Sequence, residues 1–187
     1  MLNIPIILGS TRRGRQSVKV ARFVHQRMRA AGVDTELLDL AEYDFPIMEE
    51  RLSKRDDPPP RLQEFAAKVQ AADAICIVSP EYNNGYPGVL KNALDYLWPE
   101  YQRKPFGIAT VSAGGFGGLY ALGGLRQVVI GLGAFSIPAS FPVSRVQESF
   151  NQDGSPADPS LQKRADRFIA ELVWFAEAIQ AKRASAK

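Results

Sequence analysis

Residues 9–17, GSTRRGRQS, follow directly on the apolar run of residues 2–8 and place Gly9 and Gly14 around hydroxyls and arginines. This spacing satisfies the glycine positions of the phosphate-loop pattern G-x-x-x-x-G-K-[ST]. The next two positions hold Arg15 and Gln16, so the lysine that reaches the outer phosphates and the hydroxyl that binds Mg²⁺ are both missing. The dinucleotide fingerprint G-x-G-x-x-G does not occur here either. What remains is a strand, a small-residue turn and a helix N-terminus. Ser10, Thr11 and Ser17 offer hydroxyls, while Arg12, Arg13 and Arg15 offer charge. Free backbone N–H groups and the helix dipole converge on the same point. Such a loop suits a terminal phosphate monoester held without a metal ion. The other reading is an exposed basic turn that caps the helix.

Two further stretches carry candidate chemistry. Residues 79–97, SPEYNNGYPGVLKNALDYL, are rich in aromatics and amides. Tyr82 and Tyr86 offer flat surfaces, Asn83 and Asn84 offer donors and acceptors, Pro80 and Pro87 stiffen the frame, and Gly85 permits an unusual turn. This suits one edge of a flat heterocycle, or else an ordinary proline-braced turn into a helix. A phosphorylated-aspartate switch needs carboxylates here and after the first strand, where Ser79-Pro80 and Gly9-Ser10 stand instead. Residues 112–118, SAGGFGG, hold glycines at 114, 115, 117 and 118. That density costs backbone entropy and is tolerated where a ligand or another backbone comes close. Its N–H groups suit an anion; close packing of a helix on a sheet is the alternative.

These stretches need a frame. Residues 2–8 read as a buried strand and residues 17–31 as a helix stopped by Gly32. Strands are expected at 33–40, 73–79, 104–112 and 133–143. Helices are expected at 61–72, opened by Pro60, and at 87–97 and 120–132. A long last helix is capped by Asp158 with Pro159 at its first position, and its stripe runs Leu161, Ala165, Phe168, Leu172, Phe175 and Ile179. Residues 42–60 read as irregular. Alternating strands and helices imply right-handed crossovers and a parallel sheet covered on both faces. The fold class is therefore α/β: a three-layer, flavodoxin-like sandwich with a five-stranded parallel sheet in the order 2-1-3-4-5. Ligands of that fold sit outside the carboxyl ends of the strands, which is where the three stretches lie. Residues 1–182 are expected to form one domain and residues 183–187 a loose tail.

Bulk properties narrow the function. The chain has 187 residues, 45% hydrophobic and 23% charged, with a net charge of +3. Its basic residues are scattered, which argues against nucleic acid as a partner and allows a modest preference for anionic small molecules. No stretch reaches the ~18 apolar residues of a membrane span, so no membrane partner is expected. Cys76 is the one cysteine, which excludes an internal disulfide and suggests a reducing, cytoplasmic setting. Cys76 reads as a structural thiol inside a strand, and His25, alone on the first helix, as an exposed or capping residue rather than a catalyst. Together the three loops describe one ligand with a phosphate at one end and a flat polar ring at the other, the shape of flavin mononucleotide (FMN).

In this order, GSTRRGRQS, SPEYNNGYPGVLKNALDYL and SAGGFGG resemble the NADPH-dependent FMN reductases of flavodoxin-like fold, a group that includes quinone, azo-dye and chromate reductases. The resemblance spans residues 2–180. It implies that Ser10, Arg12, Arg15, Gln16 and Ser17 hold the FMN phosphate. Pro80, Glu81, Tyr82, Asn83 and Gly85 would line the isoalloxazine and ribityl chain, and Ser112, Gly114 and Gly115 would approach the pyrimidine edge. Glu81 has two other readings, orienting Lys91 or capping the helix that follows it. Relatives carry Asn near the position of Gln16, a departure that bears on its contact.

The activity implied is passage of hydride from NADPH (or NADH) through bound FMN to quinones or similar flat acceptors, such as azo dyes, chromate or free flavin, in a ping-pong sequence. The cofactor carries the chemistry, so no catalytic side chain and no metal are expected. Two alternatives are an FMN-binding electron carrier and a reductase that supplies reduced FMN to a partner monooxygenase. Electron-carrying flavodoxins are usually strongly acidic, which this chain is not. The resemblance also implies a homodimer or homotetramer. Tyr86, Trp98, Tyr101 and Phe116, near the site loops, fit an interface unless they pack internally.

Overall fold

The computed structural model describes residues 1–185. Five strands form one sheet: β1 (Ile6–Leu8), β2 (Leu37–Asp39), β3 (Ile75–Pro80), β4 (Pro105–Val111) and β5 (Phe135–Val143). Their order is β2-β1-β3-β4-β5 and every pairing is parallel, the flavodoxin-like arrangement expected. The helices are α1 (Ser17–Ala30), the single turn α2 (Leu40–Tyr43), α3 (Leu62–Ala71), α4 (Gly88–Asp95), α5 (Leu119–Gly131) and α6 (Pro159–Ala184).

Strand alternation assigns the two faces. Ile6, Leu8, Cys76, Val78, Ala109 and Val111 belong to a core shared with α1 and α6. Ile7, Ile75, Ile77, Phe106 and Ile108 belong to a second core shared with α3, α4 and α5. The central strands are buried at every position, so their sequences run apolar without alternation. Gly107 of β4 sets the depth of α6. A Cβ there would stand 2.8 Å from Phe168 Cζ and 2.9 Å from Leu172 Cδ2, so the helix rests on bare backbone.

Several boundaries move for local reasons. The expected first strand, residues 2–8, keeps regular pairing only at Ile6–Leu8, because Pro5 has no N–H to give. Its earlier part still pairs through an isolated bridge, Asn3 with Asp34. Helix α3 starts at Leu62, not Arg61: Arg61 holds a left-handed backbone, φ 62°, and Pro60 precedes that turn rather than opening the helix. Pro87 likewise stands before α4 and not inside it. Gly32 (φ 77°) ends α1 as expected. Asp158 caps α6 by accepting from Ser160 N at 2.8 Å. Residues 183 and 184 of the expected loose tail belong to a helix. Helix α6 continues through Ala184, and Arg183 donates to the Arg103 carbonyl at 3.0 Å; residues 186–187 lie outside the described residues. No helix among the described residues is long and apolar enough to cross a membrane.

Candidate functional site

β1, β3 and β4 all end at one edge of the sheet, and the loops that leave them meet there. They enclose a cavity of about 280 Å³ lined by Arg12, Arg13, Gly14, Arg15, Gln16 and Ser17 from the first loop. Pro80, Glu81 and Tyr82 line it from the second loop, and Val111, Ser112 and Ala113 from the third. Val146 and Gln147 come from a fourth, the loop after β5. The first two loops touch directly: the Ser10 and Tyr82 hydroxyls are hydrogen-bonded at 2.9 Å.

The first loop is a tight turn onto the start of α1. Its two glycines answer different needs. Gly14 takes φ 71° with open space around it, whereas a Cβ on Gly9 would stand 2.7 Å from Leu90 Cδ2. Gly9 is therefore set by the packing of α4, and the likeness of the 9–14 spacing to a phosphate loop is partly a packing effect. Arg12 N donates to Ser10 Oγ at 3.3 Å. Gln16 stands at the N-cap of α1 without capping it, and its Nε2 donates to the Gly14 carbonyl at 3.0 Å. Ser17 opens the helix. Its hydroxyl is buried, yet has no hydrogen-bond partner. Among the described residues three other buried hydroxyls share that state, those of Tyr101, Thr110 and Ser136, and none of these residues lines the cavity.

The arginines divide. Arg15 is committed: its guanidinium grips both carboxylate oxygens of Asp39, with Nη1 to Oδ1 at 2.8 Å, and also donates to the Ser10 carbonyl. Arg12 and Arg13 form no ion pair among the described residues. Arg12 lies 5.6 Å over the Tyr82 ring. A basic loop with two unpaired guanidiniums and a helix N-terminus gives this end of the cavity a positive field.

In the second loop the strain falls on other residues than expected. Asn83 (φ 49°) and Asn84 (φ 61°) take the left-handed positions, and Gly85 does not. Tyr82 N donates to the Gly85 carbonyl at 2.8 Å and Gly85 N to the Tyr82 carbonyl at 3.0 Å, closing a two-residue hairpin with Asn-Asn at its tip. Asn83 and Gly85 do not line the cavity, while Pro80, Glu81 and Tyr82 do. The Glu81 carboxylate accepts from Tyr120 N (2.8 Å) and Ala121 N (3.0 Å), so it caps α5. Lys91 pairs with Asp95 instead of Glu81.

The glycine-rich loop also splits. Gly117 (φ 66°) and Gly118 (φ 83°) meet Pro142 and Thr110, where a Cβ would come within 2.8 and 3.0 Å, so these two serve packing. Gly114 and Gly115 have nothing within 4 Å of a Cβ and do not line the cavity. Ser112 does line it, and its hydroxyl donates to the Gly114 carbonyl at 2.9 Å. Of the aromatics considered for an interface, Tyr101 is fully buried, Tyr86 packs on Gly124 and Trp98 lies under Arg51. Phe116 is 79% exposed and Trp98 still 42%. Sequence reasoning missed Asp39, Val146 and Gln147. All three sit at the same sheet edge, and the fold rule that singled out the other loops applies equally to the ends of β2 and β5.

The other conspicuous residues lie elsewhere. Cys76 is buried in β3, and burial pushes its thiol well above the ordinary value. His25 Nε2 donates to the Thr35 carbonyl at 3.2 Å and does not line the cavity. Among the described residues no group of His, Cys, Asp and Glu is arranged to hold a metal ion.

With that geometry in place, residues 2–148 match the NADPH-dependent FMN reductase family. The chain belongs to that family. An FMN reductase of this kind is an oxidoreductase with FMN as cofactor and NADPH as substrate. The chain is 30% identical over 159 residues to an NADPH azoreductase of Bacillus sp. (strain OY1-2), covering 84% of this chain and 85% of the relative. It is 29% identical over 177 residues to the FMN-dependent NADPH-azoreductase of Staphylococcus aureus, covering 91% and 93%. Among solved structures it resembles the flavoenzyme NAD(P)H:(acceptor) oxidoreductase FerB of Paracoccus denitrificans. The TM-score is 0.78 and the identity 24%, over 94% of this chain and 99% of that one. Ligands of this fold sit outside the carboxyl ends of the strands, the edge at which these loops converge.

Proposed function

We propose that this FMN reductase holds the 5′-phosphate of FMN on residues 10–17 and passes electrons from NADPH to azo compounds or quinones. The observation that carries the assignment is the Ser17 hydroxyl, buried without a partner at a helix N-terminus beside two unpaired arginines. A buried hydroxyl without a partner is costly, and an anion accepting from it, from the first N–H groups of α1 and from Arg12 would relieve that cost. The donor set fits a phosphate monoester and includes no metal ligand. The two-electron chemistry is that of bound FMN.

The chain's own residues position and shield. Ser10 and Tyr82, joined at 2.9 Å, tie the phosphate loop to the loop assigned to the ring. Pro80, Glu81 and Tyr82 form that wall, with Asn83 and Gly85 completing its hairpin. The Glu81 carboxylate is occupied by α5, so its part is to fix the wall against that helix. Ser112 and the backbone of Gly114 and Gly115 are assigned to the pyrimidine edge, where N–H groups favour negative charge. The open space around the two glycines supports this. The azo acceptor class follows the names of the relatives, and quinones are flat molecules of the same kind. A homodimer or homotetramer is part of the reading: Phe116, Leu119 and Tyr120 are exposed beside the site. So is a cytoplasmic location, which suits a lone buried thiol.

The test is a visible spectrum. Protein titrated with FMN and mixed anaerobically with NADPH should bleach, and an added azo dye or benzoquinone should restore the yellow. Protein that gains no affinity for FMN refutes the assignment. FMN that binds and stays yellow makes the chain an electron carrier instead.

A further inference from the structure

Asp39 is a carboxylate paired with Arg15, which lines a site read as built for an anion, and on charge alone it is the wrong sign there. Its contacts explain its presence. It ends β2, and in the register of the sheet it stands directly beside Leu8, the last residue of β1. Both its oxygens accept from Arg15, whose guanidinium also donates to the Ser10 carbonyl. Oδ1 accepts in addition from Ala41 N at 3.0 Å, which fixes the carboxylate to the start of α2. The pair is largely shielded, with side-chain exposures of 17% for Arg15 and 15% for Asp39. Arg15 thus bridges the two ends of its own turn, carbonyl 10 and residue 15, to the neighbouring strand. Ser10, held in this way, accepts from Arg12 N and shares a hydrogen bond with the Tyr82 hydroxyl.

We propose that Asp39 is a positioning residue for the cofactor phosphate: through Arg15 it holds the 10–15 turn in the shape that presents Ser10, Arg12 and the α1 N-terminus to one point. Arg15 then acts through the loop and not as a phosphate ligand, a change from the role its charge suggests. A bidentate guanidinium–carboxylate pair suits this task because its fork geometry fixes direction as well as distance. A lysine could hold Asp39 but not bridge it to the Ser10 carbonyl in one plane. The inference rests on the reading of this loop as the phosphate site.

The test compares FMN with riboflavin, which lacks the phosphate. Apoprotein is titrated with each by flavin fluorescence, for the wild-type chain, Asp39→Asn and Arg15→Lys. Asp39→Asn should lose about tenfold in affinity for FMN, equivalent to ~1.4 kcal/mol, and keep its riboflavin affinity within about twofold. Arg15→Lys should lose less, with the same selectivity, and it carries the test alone if Asp39→Asn does not fold. Equal loss for both flavins would mean general structural damage and overturn the inference. Unchanged FMN binding would overturn it too. Tighter FMN binding would show Arg15 to be a phosphate ligand restrained by Asp39, and overturn it from the other side. A wild-type chain that binds neither flavin would instead refute the phosphate-site reading itself.

Discussion

The two ends of the sheet treat their polar groups in opposite ways. At the amino ends of the strands, almost every charge is consumed by the chain itself. Asp73 accepts from Asn3 N at 2.9 Å and from Gln180 Nε2 at 3.1 Å. Lys104, 3% exposed, donates to the Gln70 carbonyl at 2.7 Å and the Ala72 carbonyl at 2.5 Å, closing the C-terminus of α3. At the carboxyl ends, Ser17 has no partner and Arg12 and Arg13 have no counter-charge. At the carboxyl ends some charges serve the fold, Arg15 with Asp39 and Glu81 on α5, while Arg12 and Arg13 are left available. Tyr101, Thr110 and Ser136 also carry buried hydroxyls without a partner, so what sets Ser17 apart is that it alone of the four lines the cavity. A buried polar group normally finds a partner, and Ser17 combines the lack of one with a place in the cavity wall at the start of α1.

The contrast breaks first at Lys104, where the largest effect is expected. Lys104→Ala removes a buried stem and leaves two carbonyls without a donor, which should cost ~2–4 kcal/mol of stability. FMN affinity should not change, since Lys104 is at the far end of β4 from the cavity. Calorimetry and flavin titration check the two halves; a loss of FMN affinity in a folded variant would mean the two ends are coupled. Lys104 also gives stability a pH dependence. Burial, helped by the nearby Arg183 charge, pulls its ammonium down to about 8 from an ordinary 10.5. Above about 8 the folded chain therefore binds fewer protons than the unfolded one, until the unfolded group titrates. Stability from this group should rise with pH across that window, by at most ~1.4 kcal/mol per pH unit. Denaturant titrations should show this slope in the wild-type chain and lose it in Lys104→Ala.

Arg12 supplies the opposite case. Its guanidinium is assigned to the phosphate and, among the described residues, forms no ion pair and only lies over the Tyr82 ring, so Arg12→Ala should weaken FMN binding by ~1.5–3 kcal/mol. Stability of the apoprotein should stay within ~0.5 kcal/mol of wild type. Isothermal titration and thermal melts decide. An unchanged FMN affinity removes Arg12 from the site, and a large fall in apoprotein stability would place it with Lys104 as a structural cation.

How far this division could be read in the sequence depends on what each residue's role is made of. The sheet order was legible because alternating strands and helices leave few parallel arrangements, and the buried strands announce themselves as apolar runs. Convergence of the three loops followed from the fold rule alone. Partnering was not legible. Nothing in the sequence tells Arg15 from Arg12, and the difference is Asp39, 24 residues away in Arg15's hydrogen-bond partner and brought close only by the β1–β2 register. The glycines were legible as a density but not in the separate task of each. Gly117 and Gly118 answer to Pro142 and Thr110 across the sheet edge, and Gly9 to Leu90, contacts that local sequence cannot show. Likewise the left-handed turn fell on Asn83 and Asn84, because a two-residue hairpin places its positive φ angles at the tip and asparagine tolerates them.

Ser17 gives the smallest effect and the sharpest discrimination. In the apoprotein its hydroxyl is buried and unpaired, so Ser17→Ala removes a desolvation cost and no hydrogen bond. The apoprotein melting temperature should therefore hold or rise slightly, a gain of at most ~1 kcal/mol. The same change should weaken FMN binding by ~0.5–1.5 kcal/mol, the net worth of one hydroxyl–oxygen hydrogen bond. Riboflavin binding should not change, because the lost partner belongs to the phosphate. Opposite signs in stability and affinity from one methyl-sized edit are hard to obtain any other way. A structural serine would lower both, and an idle one would leave FMN affinity where it was. The second outcome would also remove the observation on which the phosphate assignment rests, since a buried hydroxyl that gains nothing from the ligand cannot be what the ligand satisfies.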